Sequence, residues 1–108
     1  MGGRSWPIIW SPDARVDLAD IWNYYAQVAG RNTADNTIRE IGDACGILES
    51  HRFAGRSREE VRPGLRSIIA YPYVVFYRVT KDVAEISRVL DGRRDVDEIF
   101  AEDAEERV

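Results

Sequence analysis

The chain has 108 residues, 44% of them apolar, which suits one domain with one core. Its 15 basic and 19 acidic side chains give a net charge of −4, which argues against a general nucleic-acid coat or a membrane-surface binder. One cysteine and one histidine exclude a disulfide framework and a Cys/His zinc site. No segment is typical of a signal peptide or a membrane span, so we expect one cytoplasmic domain over residues 1–108.

A short strand and a helix are the first predicted elements. Trp6–Trp10 alternates apolar side chains with the period of a strand, and Pro7, which lacks an amide hydrogen, places that strand at the border of a sheet. Ser11 and Pro12 are typical of an N-cap and a first helical position. Gly30 is the predicted C-cap. Spacings of three and four mark the inner face of this helix at Ala14, Leu18, Ile21, Trp22, Tyr25 and Val28.

A second helix is predicted to begin near Asn32 or Thr33. Its inner face is marked by Ile38, Ile41, Cys45 and Leu48. Because the link between the two helices is only a few residues long, we expect them to form an antiparallel hairpin.

The second half of the chain predicts an antiparallel sheet. A polar connector, Arg52–Gly64, precedes three strands at Leu65–Tyr71, Tyr73–Thr80 and Val83–Leu90. Asp95 and Glu98 have the spacing of a capping box and predict a short helix through Phe100, followed by a frayed acidic tail at about 101–108. The predicted fold class is α+β: an N-terminal strand, a helical hairpin packed on a small antiparallel sheet of three to four strands, and a short C-terminal helix.

Both faces of the last two strands are partly apolar. Strict alternation places four residues of Val83–Leu90 on one face: Ala84, Ile86, Arg88 and Leu90. Since two helices can cover only one face of the sheet, we predict an exposed apolar surface rimmed by arginine on the other, as in a protein-binding groove. The alternative is that the final helix and the connector Arg52–Gly64 fold over that face and complete the core.

The basic side chains are concentrated in the middle of the chain. Residues 51–94 carry ten basic and five acidic groups, whereas residues 95–108 carry seven acidic groups and one basic group. Fourteen of the 15 basic residues are arginine, which binds carboxylate and phosphate groups bidentately. A genome rich in arginine codons explains the same composition, so only the placement of particular arginines can indicate a function.

The residues that could carry chemistry do not form a catalytic set. Cys45 lies on the apolar stripe of the second helix, and His51 is rotated about 120° from it at roughly 100° per residue, so the two form no nucleophile–base pair. The glycines form neither of the common phosphate-binding motifs. We therefore expect no catalytic residue, no metal and no cofactor.

Several short segments occur together in a recognisable order: Trp10-Ser11-Pro12, Leu65-Arg66, Tyr71-Pro72-Tyr73, Phe76-Tyr77-Arg78-Val79 and Arg88-Val89-Leu90-Asp91-Gly92-Arg93-Arg94-Asp95. With the helix that contains Ile21-Trp22 and Tyr24-Tyr25, they cover nearly the whole chain. In this order and spacing the chain resembles the toxins of the RelE/ParE superfamily, and within it the ParE branch.

The resemblance implies a toxin of a bacterial type II toxin–antitoxin system that binds and poisons DNA gyrase, a type II topoisomerase, and that is not itself an enzyme. It also implies a ParD-like antitoxin whose C-terminal segment folds on the toxin in a hetero-oligomer, with DNA reached only through the antitoxin or gyrase. The alternative is a ribosome-dependent mRNA endoribonuclease of the RelE type. Asp91 stands where the family often has a histidine before Gly-Arg-Arg, and a carboxylate there would repel RNA phosphates.

Seven residues are candidates for contact with the antitoxin or the target: Trp22, Tyr73, Phe76, Arg78, Arg88, Arg93 and Arg94. For Trp22, packing in the core is the favoured role. For Arg93 and Arg94, contact with a partner is favoured.

Overall fold

A computed structural model describes residues 5–93 and 99–101. The elements are β1 (Ile8–Trp10), α1 (Pro12–Val28), α2 (Arg31–Cys45), a 3₁₀ helix (Gly46–Glu49), β2 (Arg56–Ser57), β3 (Leu65–Ala70), β4 (Tyr73–Thr80) and β5 (Val83–Asp91). Residues 99–101 are helical. The α+β class, the helical hairpin and the short C-terminal helix are thus confirmed, while Asp95 and Glu98 lie outside the described residues. None of the helices described is long and apolar enough to cross a membrane.

The sheet has five strands in the order β1-β5-β4-β3-β2, one more than the upper end of the prediction. The connector contributes the extra strand, β2, whose two residues are too few to give a periodic signal. β1 lies at one border, as Pro7 predicted, and pairs with β5 in parallel, while the remaining pairs are antiparallel. The Pro7 carbonyl accepts a hydrogen bond from the amide of Ala84 at 3.0 Å, so Pro7 contributes an acceptor to the sheet although it has no donor.

Ser11, the N-cap of α1, links the helical hairpin to the sheet. The Ser11 hydroxyl accepts a hydrogen bond from the Ala14 amide at 3.1 Å and donates one to the Ser87 carbonyl at 2.9 Å. The N-cap therefore joins α1 to β5 as well as satisfying a helix amide. At the other end Ala29, not Gly30, is the C-cap. Gly30 follows with a φ of 96° and is the N-cap of α2, which therefore begins slightly earlier than predicted.

The main core lies between the hairpin and one face of the sheet. Its buried residues are Ala14, Ile21, Ile41, Cys45, Leu48, Tyr73, Val75, Tyr77, Ala84, Ile86 and Val89. A β-bulge at Ser87 sets the composition of this face, because Phe76 pairs with Arg88 while Tyr77 pairs with Ile86. Strict alternation along β5 was therefore wrong beyond Ser87: Ile86 and Leu90 lie on opposite faces.

The other face of the sheet is partly covered by the chain itself. A second buried cluster there contains Leu65, Phe76, Leu90 and Phe100. The rings of Phe76 and Phe100 meet edge to face with centroids 5.3 Å apart, and Val61 of the connector packs against the same cluster. For this part of the face the alternative is therefore correct: the connector and the final helix fold over it. Exposed apolar surface remains near the β3–β4 turn, where Ile69 and Tyr71 are 72% and 90% exposed.

Candidate partner-binding site

A cleft of about 450 Å³ opens between α1 and the end of the sheet that carries the β3–β4 turn. One wall is formed by α1 and the other by the turn and the end of β5. The lining residues are Asp17, Asp20, Ile21, Tyr24, Tyr25, Pro72, Tyr73, Val89, Asp91 and Arg93. The cleft therefore combines aromatic rings with three carboxylates, and it contains two of the predicted contact residues, Tyr73 and Arg93.

Three tyrosines give the cleft its apolar surface. Tyr73 is buried, and its hydroxyl lies 3.4 Å from the hydroxyl of Tyr25 as a long hydrogen bond. Burial raises the pKa of Tyr73 well above its usual range, and the Tyr25 hydrogen bond and the Asp91 charge raise it further, so its hydroxyl stays neutral. Tyr24 stands nearly perpendicular to Tyr25, with ring centroids 5.2 Å apart, and is 58% exposed.

Arg88 is held inside the protein by Asp17, one of the carboxylates that line the cleft. Its Nε and Nη2 donate to the two carboxylate oxygens of Asp17 at 2.8 and 3.0 Å, and the Val89 amide donates to the same carboxylate at 2.8 Å. Both side chains of the pair are largely buried. Arg88 therefore joins β5 to α1, and its contact with a partner stays a prediction from the sequence. Sequence reasoning missed Asp17, because nothing local in the chain connects positions 71 residues apart.

Arg93 extends from the mouth of the cleft into solvent. Its Nε and Nη2 donate to the two oxygens of Asp91 at 2.9 and 2.6 Å, yet 84% of its side chain remains exposed. The hydrogen bonds and charge of Asp91 raise the pKa of Arg93 above its usual range, so the guanidinium is always charged. Its position suits the predicted contact. Arg94, its predicted companion, lies outside the described residues.

The other predicted contact residues lie away from the cleft. The indole Nε1 of Trp22 donates to Asp35 at 2.8 Å, so this half-buried side chain links α1 to α2 and is not part of the buried core. Phe76 is fully buried beneath Phe100, where a partner could reach it only if Phe100 moved away. Arg78 is exposed on the same face of the sheet as Phe76. The six candidates that the structure describes therefore do not form one patch.

Comparison with known proteins identifies the family. Residues 8–96 match the family model described as the ParE toxin of the type II toxin–antitoxin system parDE. This chain belongs to the ParE toxin family. It is thus a toxin of the type II toxin–antitoxin class, as the resemblance in its sequence indicated.

Individual ParE relatives agree with the family model. The chain is 35% identical over 88 residues to Toxin ParE1 of Mycobacterium tuberculosis, covering 81% of this chain and 90% of that protein. It is 39% identical over 77 residues to Toxin ParE1 of Caulobacter vibrioides, covering 71% of this chain and 79% of that protein. A solved structure titled "Chromosomal ParDE TA system from P. aeruginosa" shares the fold, with a TM-score of 0.71, 22% identity and coverage of 82% of this chain and 98% of that chain.

Cysteine and histidine are common catalytic residues in enzymes. The single cysteine and the single histidine of this ParE toxin, Cys45 and His51, lie apart from the cleft. Burial raises the pKa of the Cys45 thiol to about 11, so it is not a nucleophile at neutral pH. His51 is exposed beyond the 3₁₀ helix, with its Nδ1 2.9 Å from the Ser50 hydroxyl. Within residues 5–93 and 99–101, no group of three or more histidine, cysteine or acidic side chains could hold a metal ion.

Proposed function

We propose that this ParE-family toxin binds and poisons DNA gyrase by contact alone and that a ParD-like antitoxin neutralises it. The observation that carries the proposal is the family match over residues 8–96, together with toxin relatives covered over 79% to 90% of their length. The target itself comes from the resemblance to ParE toxins noted in the sequence.

The contacts that the arginines make within the chain itself favour a protein-binding toxin over an RNA-cleaving one. Three arginines of the basic middle hydrogen-bond to groups of the chain itself: Arg58 to the Ser67 hydroxyl, Arg62 to the Phe100 carbonyl and Arg66 to the Gly55 carbonyl. Arg88 and Arg93 are paired with carboxylates. A guanidinium already held by a carboxylate neutralises a phosphate less well, so this arrangement supports a protein inhibitor more than a nuclease.

The remaining apolar surface supports an antitoxin that wraps the toxin. Ile69 and Tyr71 are exposed beside the cleft, and Tyr24 is half exposed on its rim. A disordered segment that folds on its partner can cover separated patches of this kind. The solved relative is titled as a ParDE system, which fits a ParD-like partner for this chain.

Gyrase assays test the proposal directly. Purified toxin should inhibit DNA supercoiling by gyrase or trap cleaved DNA, and its antitoxin should reverse the effect. Arg93→Ala should weaken inhibition because Arg93 is exposed at the cleft mouth, whereas Arg39→Ala, an exposed arginine on α2, should not. Normal supercoiling with excess folded toxin would refute the proposal, and cleavage of transcripts in a translating extract would favour the RelE-type activity instead.

A further inference from the structure

The three carboxylates of the cleft are not equally neutralised. Asp17 is paired with Arg88, and Asp91 is paired with Arg93. Asp20 lines the same cleft from α1, is exposed, and has no hydrogen bond or ion pair to any of the residues described. The cleft therefore contains one carboxylate whose charge no described side chain balances.

The other two carboxylates of the cleft lining each bind an arginine of the chain in the same way. In both ion pairs a guanidinium donates from Nε and Nη2 to the two oxygens of one aspartate. This two-point geometry is characteristic of arginine and is not available to lysine. Asp20 also places a carboxylate in the cleft, but none of the described arginines is paired with it.

The aromatic surface beside Asp20 suits the rest of an arginine side chain. Tyr24 lies one helical turn after Asp20, so the two side chains share a face of α1. Tyr24 and Tyr25 meet at an interplanar angle of 83° and form two adjoining walls. A guanidinium is weakly hydrated and stacks on aromatic rings, while its aliphatic stem packs on apolar surface such as Ile21.

We propose that this cleft binds an arginine side chain presented by the toxin's protein partner, with its guanidinium on the Asp20 carboxylate and its stem against Tyr24. The inference rests on the proposed function for the existence of such a partner, the antitoxin. The toxin's own arginines suggest acidic residues in the antitoxin segment that binds it. The arginine proposed here would be a basic residue in that same segment. It does not depend on gyrase being the target.

Nuclear magnetic resonance can test the site with a small probe and the full-length toxin. Acetyl-arginine amide, titrated into the ¹⁵N-labelled protein, should cause saturable shifts confined to amides lining the cleft. The neutral isostere acetyl-citrulline amide should cause none, and acetyl-lysine amide should bind more weakly. Asp20→Asn should raise the dissociation constant for the arginine probe about fivefold, as expected for a partly exposed ion pair worth about 1 kcal/mol.

Two further variants make the test specific. Tyr24→Leu removes the aromatic wall and should weaken binding, while Asp43→Asn, an exposed aspartate of α2 away from the cleft, should leave it unchanged. Equal shifts with the citrulline or lysine probe, or an unaltered affinity in Asp20→Asn, would overturn the assignment. Toxin that binds the probe but leaves supercoiling intact would refute gyrase poisoning alone. Toxin that inhibits gyrase but ignores the probe would refute the arginine site alone.

Discussion

Arg88 of β5 and Asp17 of α1 form a two-point ion pair, and the same carboxylate accepts the amide of Val89. Because Asp17 is only 11% exposed and Arg88 16%, neither group can be rehydrated easily once its partner is lost. We expect Asp17→Ala to destabilise the fold by about 3 kcal/mol. Chemical denaturation measures this difference, and Asp20→Ala, three residues along α1 and exposed, should change stability by less than about 0.5 kcal/mol. Equal stability of the two variants would mean that the ion pair does not hold α1 on the sheet.

Gly55 is required for close packing of the connector on β4. Its amide donates to the buried Tyr77 hydroxyl at 2.8 Å, and a Cβ at this position would lie 2.6 Å from the Tyr77 ring and 2.8 Å from the Ser67 carbonyl oxygen. Gly55→Ala should therefore cost about 2–3 kcal/mol in stability, because a backbone oxygen cannot move aside as a side chain can.

A glycine in α2 provides the matched control for this substitution. A Cβ on Gly42 would meet nothing within 4 Å. Since alanine is the better helix former, Gly42→Ala should stabilise the protein by roughly 0.5–1 kcal/mol. Thermal unfolding of the two variants should give shifts of opposite sign, and a shift of the same sign would contradict the steric argument at Gly55.

Phe100 covers the second face of the sheet. It is 3% exposed and packs on Phe76, and its carbonyl accepts a hydrogen bond from Arg62 at 2.8 Å. Phe100→Ala should lower the free energy of unfolding by about 3 kcal/mol, since it removes a buried aromatic ring. Tyr71→Ala, at a side chain 90% exposed, is the control and should have almost no effect. If both variants unfold at the same denaturant concentration, the terminal helix contributes nothing to the core.

Every helix and strand of the fold except β2 and the 3₁₀ helix could be predicted from the sequence, because each has a local signal. The three long strands were predicted from residue alternation and short links. Their predicted ends agree with the observed ends of β3, β4 and β5 to within one residue. Ser11 and Pro12 located the start of α1 correctly. β2 has only two residues, and the bulge at Ser87 breaks the period-two pattern on which the face assignment depended, so neither could be predicted.

The candidate site was harder to predict than the fold, because it depends on contacts between distant positions. Arg88 was predicted to contact a partner protein, but in the fold it pairs with Asp17, which lies 71 residues away, and nothing local indicates that pair. Phe76 was expected to meet a partner, yet Phe100 of the chain itself covers it. In both cases the side chain's chemistry was informative, whereas its partner was decided by tertiary packing.

Because the thiol of Cys45 is buried, we expect the stability of the protein to depend on pH. Burial raises the pKa of this thiol from its ordinary value of 9.0 to about 11, so the unfolded chain loses this proton at lower pH than the folded chain does. An acid whose folded pKa is raised favours the folded state below the unfolded pKa, and that contribution is lost as pH rises toward the folded value. Between about pH 9 and 11 stability should therefore fall by up to about 1.4 kcal/mol per pH unit from this group. Urea denaturation of wild type and Cys45→Ala across this range isolates the contribution, since the other titrating groups are common to both proteins. Parallel curves for the two would show that the thiol titrates alike in the folded and unfolded chains.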